Sequence, residues 1–172
     1  NRMVMDIVDF EIKQIYAGWF DVSFGQGTEK LTISASDAWG NDSPRKFLEV
    51  LYDMYAESAE HRFVIWDEEP GEYFICMDRF ENRVRLIVSY SEDAEDMLGR
   101  YFQSIEGDLS YEEIRGFFDD LQDLLVVENL DLKHFVKNVY EEFRKCDIEE
   151  YQGHWMDYPY EQMEKMKAAI KR

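Results

Sequence analysis

The three histidines are the first side chains to consider for chemistry, because imidazole is a common metal ligand and titrates near neutral pH. His61, His134 and His154 lie far apart in the chain, and none has the H-E-x-x-H spacing that places two imidazoles on one helical face. We therefore predict no histidine metal site. His154 is the most interesting of the three, since its neighbour Trp155 could shield it from water.

Carboxylates are abundant, with 38 acidic side chains against 19 lysines and arginines and a formal net charge of −19. Asp67, Glu68, Glu69 and Glu72 could gather around a cation, and Asp37, Asn41 and Asp42 offer similar oxygen ligands. Oxygen ligands suit calcium or magnesium, but neither spacing matches a calcium-binding loop. Glycosidases use two carboxylates, yet nothing in the sequence selects two of the 38. We interpret both groups as solvated turns and predict no metal and no catalytic residue.

Motifs for cofactors and nucleophiles are absent from the sequence. It contains no G-x-S-x-G, no P-loop and no dinucleotide fingerprint, and Gly25-Gln26-Gly27 lacks the third glycine and following helix that phosphate binding needs. Cys76 and Cys146 are 70 residues apart and form no paired motif. Cys76 lies in an apolar run and is predicted to be a small buried hydrophobe rather than a reactive thiol. We expect no cofactor.

Exposed aromatic residues are the better indication of a binding site. Trp39 lies in the polar stretch Asp37–Asp42, and Trp155 and Tyr158 are interleaved with His154 and Asp157 in a predicted connection. Tryptophan and tyrosine dominate binding hot spots, because they bury a large area at little cost in conformational entropy. The alternative is that they close the ends of the core, which fits Trp155 equally well.

Acidity is concentrated in residues 91–131, which hold 13 acidic side chains against Arg100 and Arg115 and so carry 11 of the 19 excess negative charges. The segment is too apolar for a disordered tail, and we expect it to fold. A folded acidic surface repels nucleic acid and anionic lipid and attracts basic proteins. The predicted partner-binding residues are Trp39, Asp119, Asp120, Asp123, His154, Trp155 and Tyr158.

The chain also lacks an apolar run of the roughly 20 residues that cross a bilayer, and its opening residues lack the apolar stretch of a signal peptide. Met3 or Met5 could be the natural initiator. The unpaired cysteines suit a reducing compartment. These features predict a cytoplasmic protein that binds neither membrane nor nucleic acid; its oligomeric state is left open.

Residue periodicity predicts the elements that position these side chains. Alternation predicts three strands before residue 36, a hairpin turn at Gly25–Gly27, and a three-strand meander over 61–90. Ser43 is the predicted N-cap of a helix at 44–58, and β-branched residues favour a short strand near 124–128. Further helices are predicted from Asp93, from the capping box Ser110–Glu113, from Asp131 and near Pro159.

The predicted fold is a single α+β domain over 1–172, mainly β with one helix in 1–90, and acidic and mainly helical in 91–172. A largely antiparallel sheet of six to seven strands carries one helix after the third strand and three to four C-terminal helices.

A resemblance adds to this prediction. The stretch Trp66–Tyr73, the later Arg83-Val84-Arg85 and Gly153-His154-Trp155 resemble a loose group of uncharacterised bacterial cytosolic proteins. The resemblance covers Pro44 to Trp155, brings no catalytic residue with it, and implies an α+β fold like that of small immunity proteins of toxin systems. The leading hypothesis is therefore a non-enzymatic, immunity or antitoxin-like inhibitor of a basic protein. The alternative is an uncharacterised enzyme or small-ligand protein with a pocket near Trp39 or His154.

Overall fold

The computed structural model describes residues 4–68, 70–94 and 107–172, and within them the chain forms seven strands and five helices. The strands are β1 (Asp9–Tyr16), β2 (Trp19–Gln26), β3 (Glu29–Ser36), β4 (His61–Asp67), β5 (Glu72–Phe80), β6 (Arg83–Ser91) and β7 (Gln122–Val127). The helices are α1 (Ser43–Ala56), α2 (Tyr111–Phe117), α3 (Leu132–Arg144), α4 (Ile148–His154) and α5 (Tyr160–Ile170). The predicted α+β class is confirmed.

The strands are antiparallel and divide into two sheets, ordered β1-β2-β3 and β4-β5-β6-β7. The sequence prediction had the strand number and direction right and did not separate the two sheets. The division falls where α1 interrupts the chain, and β3 then lies beside β4 without joining its hydrogen-bond ladder.

The β4–β7 sheet is buried on both faces, as the apolar pattern of its central strand predicts. One face, with Ile75 and Met77 of β5, packs on the main core formed with the β1–β3 sheet, α1, α3, α4 and α5. The other face, with Phe74 and Cys76, packs against α2 and its flanking residues, of which Ile114 is fully buried. The acidic C-terminal half thus covers the second face of the sheet.

Helix α1 begins one residue earlier than expected. Asp42, and not Ser43, is the N-cap, since its carboxylate accepts a hydrogen bond from the amide of Arg45 at 3.3 Å. Ser43 lies in the first turn, and its hydroxyl donates instead to the carbonyl of Ile65 at 2.7 Å. The predicted cap is wrong because a buried carbonyl on β4 takes the hydroxyl that sequence alone assigned to the helix.

The C-terminal helices follow local signals. The capping box of Ser110 and Glu113 is confirmed, and Asp131 caps α3. Helix α4 was not predicted, although Asp147 and Glu150 have the same spacing as the capping box and the amide of Glu150 donates to Asp147. The helix predicted from Asp93 to Ile105 falls mostly on residues outside the described ranges.

None of the helices in the described ranges has the length and apolar content needed to cross a bilayer.

Candidate functional site

Three exposed aromatic side chains lie at one end of the β1–β3 sheet. Trp39 is 67% exposed, Tyr16 59% and Trp19 38%. Tyr16 and Trp19 are paired across the turn that joins β1 to β2, and the imidazole of His154 stacks on Tyr16 with ring centroids 5.0 Å apart. We call Tyr16, Trp19, Trp39 and His154 the aromatic rim. It contains the predicted residues Trp39 and His154, and two residues that the sequence reasoning did not single out.

Backbone hydrogen bonds hold the aromatic rim together. Ala17 and Gly18 form the β1–β2 turn with φ of 50° and 85°, and their amides donate to Nδ1 and to the carbonyl oxygen of His154 at 3.2 and 2.8 Å. The amide of Asp37 donates to the Gly18 carbonyl at 2.9 Å, which ties the Trp39 loop to the same turn. The φ of 85° favours glycine at position 18, and a Cβ there would also displace the Asp37 carboxylate, from which it would lie 2.5 Å away.

Trp155 and Tyr158 do not belong to this exposed surface, and of the two alternatives considered for them the structure shows the buried one. Trp155 is 6% exposed, and its indole Nε1–H donates to the Asp42 carboxylate at 3.0 Å. The Tyr158 hydroxyl donates to the carbonyl of Phe143 at 2.8 Å inside the core. Both side chains are buried because their polar tips find partners far away in sequence, so they close the end of the core.

A second group of carboxylates lies around Tyr90, near the C-terminal end of β6. Burial raises the pKa of Tyr90, and the charges of Glu68, Glu92, Glu72 and Asp120 raise it further. We call these four carboxylates the Tyr90 cluster; Glu92 and Asp120 are exposed, and Glu72 is buried. Tyr73 packs on Tyr90 with ring centroids 5.0 Å apart. The cluster thus combines the first residue of β5 with residues just after β4, just after β6 and just before β7.

The three predicted aspartates differ in what they contact. Asp120 accepts hydrogen bonds from the Ser91 hydroxyl at 2.6 Å and from the amides of Glu92 and Asp93. Burial raises the pKa of Asp120, but these hydrogen bonds outweigh it and hold the pKa below its usual range. Asp119 is exposed and makes no hydrogen bond or ion pair in the described part of the chain. The Asp119 carboxylate is therefore free to contact a partner, whereas that of Asp120 already accepts hydrogen bonds within the chain.

Asp123 belongs to a polar network that holds α2 on the sheet. Its carboxylate oxygens lie 2.7 and 2.6 Å from the donating Tyr111 hydroxyl, and the Ser89 hydroxyl also donates to it at 2.8 Å. Arg115 donates to the Tyr111 oxygen at 2.8 Å. Burial, and then the hydrogen bond to Asp123, raises the pKa of Tyr111 to about 12. These contacts give Asp123 a structural role.

Asp78, on β5, holds the first residue of α2. The Tyr111 amide donates to the two Asp78 oxygens at 3.4 and 3.3 Å, and Arg85 lies 3.5 Å away with its guanidinium 5.5 Å from the Tyr111 ring centroid. Burial raises the pKa of Asp78, against the effects of the Tyr111 amide and Arg85. Each of these groups is engaged in holding α2, which leaves no set of converging polar groups for catalysis in this network.

Asp78→Asn is expected to change how stability depends on pH. Because the folded protein holds the Asp78 proton to a higher pH than the unfolded chain, the stability contributed by protonated Asp78 is present below the unfolded pKa and lost as pH rises through the folded pKa. The variant lacks this titration. Urea unfolding between about pH 3 and pH 6 should show wild-type stability falling relative to the variant. Asp119→Asn is the control, and equal slopes for wild type and Asp78→Asn would contradict the idea.

The cysteines and carboxylates show no sign of reactive or metal chemistry in the described residues. Burial raises the pKa of Cys76, and burial raises that of Cys146 to about 11, so both thiols are protonated near neutral pH. Within residues 4–68, 70–94 and 107–172, no group of three or more His, Cys, Asp or Glu side chains is arranged to hold a metal.

A cavity of about 400 Å³ lies between α1 and α5, away from Trp39 and His154. Three of its charged lining residues are engaged, since Arg45 bonds Glu49 at 2.6 Å and Lys165 lies over the Tyr52 ring at 4.7 Å. Because its lining includes neither Trp39 nor His154, this cavity is not the pocket that the small-ligand alternative predicts.

The start of α1, four residues after Trp39, and the acidic residues lie at opposite edges of the β4–β7 sheet. Ile65 of β4 and Asp123 of β7 share one row of the sheet, three strand spacings apart. Three spacings are about 14 Å. Ser43 donates to the Ile65 carbonyl, so it lies about this far across the sheet from Asp123.

Comparisons of this chain with protein families, with curated proteins and with solved structures found no match.

Proposed function

We propose that this chain is a non-enzymatic, cytoplasmic binding protein that inhibits a basic protein partner, in the manner of a bacterial immunity or antitoxin-like protein. The observation that carries the proposal is the Tyr90 cluster. The Tyr90 hydroxyl lies against Gly71, in the β4–β5 connection between Glu68 and Glu72, and Asp120 accepts a hydrogen bond from the amide of Glu92 at 3.0 Å. Such a concentration of like charge opposes folding by self-repulsion unless a partner neutralises it. A basic protein surface supplies the complementary charge.

Charge and aromatic surface have different roles in this proposal. The net charge of −19 attracts a basic partner over a distance of the order of the Debye length, about 8–10 Å at physiological salt, and speeds association. The aromatic rim supplies apolar contact once the partner has arrived, and Trp39 contributes most because it is the most exposed tryptophan of the rim. A standard interface covers about 800 Å² on each partner, which is wide enough to reach both surfaces.

Asp119→Lys tests the electrostatic part of the proposal. The host proteins captured by the immobilised chain at low salt are identified by mass spectrometry, and the association rate of each basic prey is then measured with purified protein. We expect the rate to fall about tenfold or more between low salt and 0.5 M salt, and Asp119→Lys to reduce it several-fold at low salt. Asp119 is the residue of choice because its reversal breaks no contact in the described part of the chain.

Glu164→Lys is the matched control. Glu164 is exposed on α5, which packs against α1 on the side of the β4–β7 sheet away from α2, and the reversal changes net charge by the same amount. It should slow association less than Asp119→Lys. A rate independent of salt, or equal effects of the two reversals, would contradict docking at the acidic end.

A further inference from the structure

The edges of the two sheets differ in how their backbone groups are covered. The outer edge of β1 is capped by α3, since the amides of Phe10 and Ile12 donate to the side-chain oxygens of Asn138 and Glu142 at 2.7 and 3.0 Å. Asn138 also donates back to the Phe10 carbonyl at 3.0 Å. An edge covered in this way cannot accept another strand.

The edges of β3 and β4 are also occupied, because these two strands lie beside each other. On β4, the Ile65 carbonyl accepts from Ser43 and Asn41, and the Phe63 amide donates to the Gly107 carbonyl at 3.3 Å. Among residues 4–68, 70–94 and 107–172, the edge that remains is that of β7.

Strand β7 pairs with β6 on one side only. Within the described ranges, the backbone of residues 122–127 makes no hydrogen bond outside the ladder with β6. Alternate residues of an edge strand direct their N–H and C=O groups outward, and these groups form a template for another strand. The edge carries no proline and no lysine, the residues that commonly block such pairing.

The side chains of β7 are suited to an added strand. Leu124 and Val126 are 37% and 44% exposed. Val126 is in register with Ile87 and so lies on the face that packs against α2, and Leu124 is the unpaired residue at the register shift between Asp123 and Leu125. Just beyond β7, Asp6 pairs with Leu130 in a parallel bridge, with its amide donating to the Asn129 carbonyl at 2.7 Å. An extended segment of this chain therefore already pairs with the backbone just beyond the end of β7.

We propose that β7 is the docking edge of the basic partner, which adds an extended segment of alternating basic and apolar residues as a further strand. This inference rests on the proposed function and specifies its mode of binding. Apolar side chains of the segment pack on Leu124 and Val126, and its lysines or arginines lie near Asp119 and Glu128. A second copy of this chain is the less suitable occupant, because antiparallel pairing of two β7 strands would bring the acidic ends of the copies together.

The probe is a ten-residue peptide of alternating lysine and valine, with a lysine–proline peptide of the same charge as control. Proline lacks the N–H that a ladder needs. We expect the lysine–valine peptide to bind about tenfold more tightly or better, and to slow hydrogen exchange at the amides of β7. Leu124→Lys should weaken its binding about tenfold. Ile148→Lys, which makes the same charge change at another aliphatic side chain that is 37% exposed, should weaken it less than about threefold.

The outcomes separate this inference from the proposed function. Equal binding of both peptides, or protection that maps to other strands, would overturn strand addition while salt-dependent docking of a basic partner stands. Protection of β7 that grows with protein concentration in the absence of peptide would assign the edge to a second copy and also overturn the inference. If no basic partner associates in a salt-dependent way, the proposed function fails as well.

Discussion

Phe20→Ala is expected to lower the free energy of unfolding by about 3–5 kcal/mol. Phe20 is fully buried on β2, and its ring centroid lies 5.8 Å from that of Trp66 on β4. The rings of Phe143, Tyr151 and Trp155 surround it at centroid distances of 6.0, 5.7 and 5.5 Å. Alanine would remove the side chain through which both sheets and the C-terminal helices meet, and the aromatic neighbours cannot collapse fully into the space.

Trp19→Ala is the matched control, since Trp19 is the preceding residue on β2 and belongs to the exposed rim. Its removal should cost less than about 1 kcal/mol. The free energy of unfolding of both variants can be measured by urea unfolding with tryptophan fluorescence. The comparison requires that the slope of this free energy against urea concentration equals that of wild type. A Phe20→Ala cost no larger than that of Trp19→Ala would mean that the two sheets do not share one core.

Local signals in the sequence predict the elements well, because capping and periodicity involve neighbouring residues. The capping box of Ser110 and Glu113 fixes the start of α2, and the β-branched pair Val126 and Val127 indicates the strand β7. The same kind of signal at Asp147 would have predicted α4. These predictions need no knowledge of what the element packs against.

The candidate site was less predictable, because long-range partners decide which aromatic and acidic residues stay exposed. The Trp155 indole is buried by a hydrogen bond to Asp42, 113 residues away in sequence. Tyr16 and Trp19 enter the aromatic rim only because His154 binds the β1–β2 turn. No periodicity within a single segment specifies either arrangement, since both depend on how distant segments meet.

The separation of the strands into two sheets has the same origin. Alternating polarity assigns a strand to a buried face, but it does not name the neighbouring strand. Here β3 and β4 are adjacent but not hydrogen-bonded to each other. The outer edge of the three-strand sheet is covered by α3, whose Asn138 and Glu142 side chains accept hydrogen bonds from β1. Because β7 has no such cover in the described part of the chain, it is the edge at which we propose that the partner docks.

Asp123→Ala is expected to destabilise the protein by about 1.5–3 kcal/mol, the range for hydrogen bonds that involve a charged group. The substitution leaves the buried hydroxyl of Ser89 without its acceptor, and it leaves the Tyr111 hydroxyl with Arg115 as its remaining partner. A second readout follows from the pKa of Tyr111, which burial and then Asp123 raise to about 12. Removing the carboxylate should lower that pKa, as measured by ultraviolet titration of the tyrosines.

Asp119→Ala separates the structural from the binding role of the acidic segment. The side chain is exposed and makes no hydrogen bond or ion pair in the described part of the chain, so its removal should change stability by less than about 0.5 kcal/mol. One outcome is that the partner binds both Asp119→Ala and Asp123→Ala more weakly than wild type, and by the same amount. Its affinity would then depend on the negative charge of this segment. If weaker binding followed only the destabilised Asp123→Ala variant, the partner would depend on α2 being held in place, and direct electrostatic docking at Asp119 would be wrong.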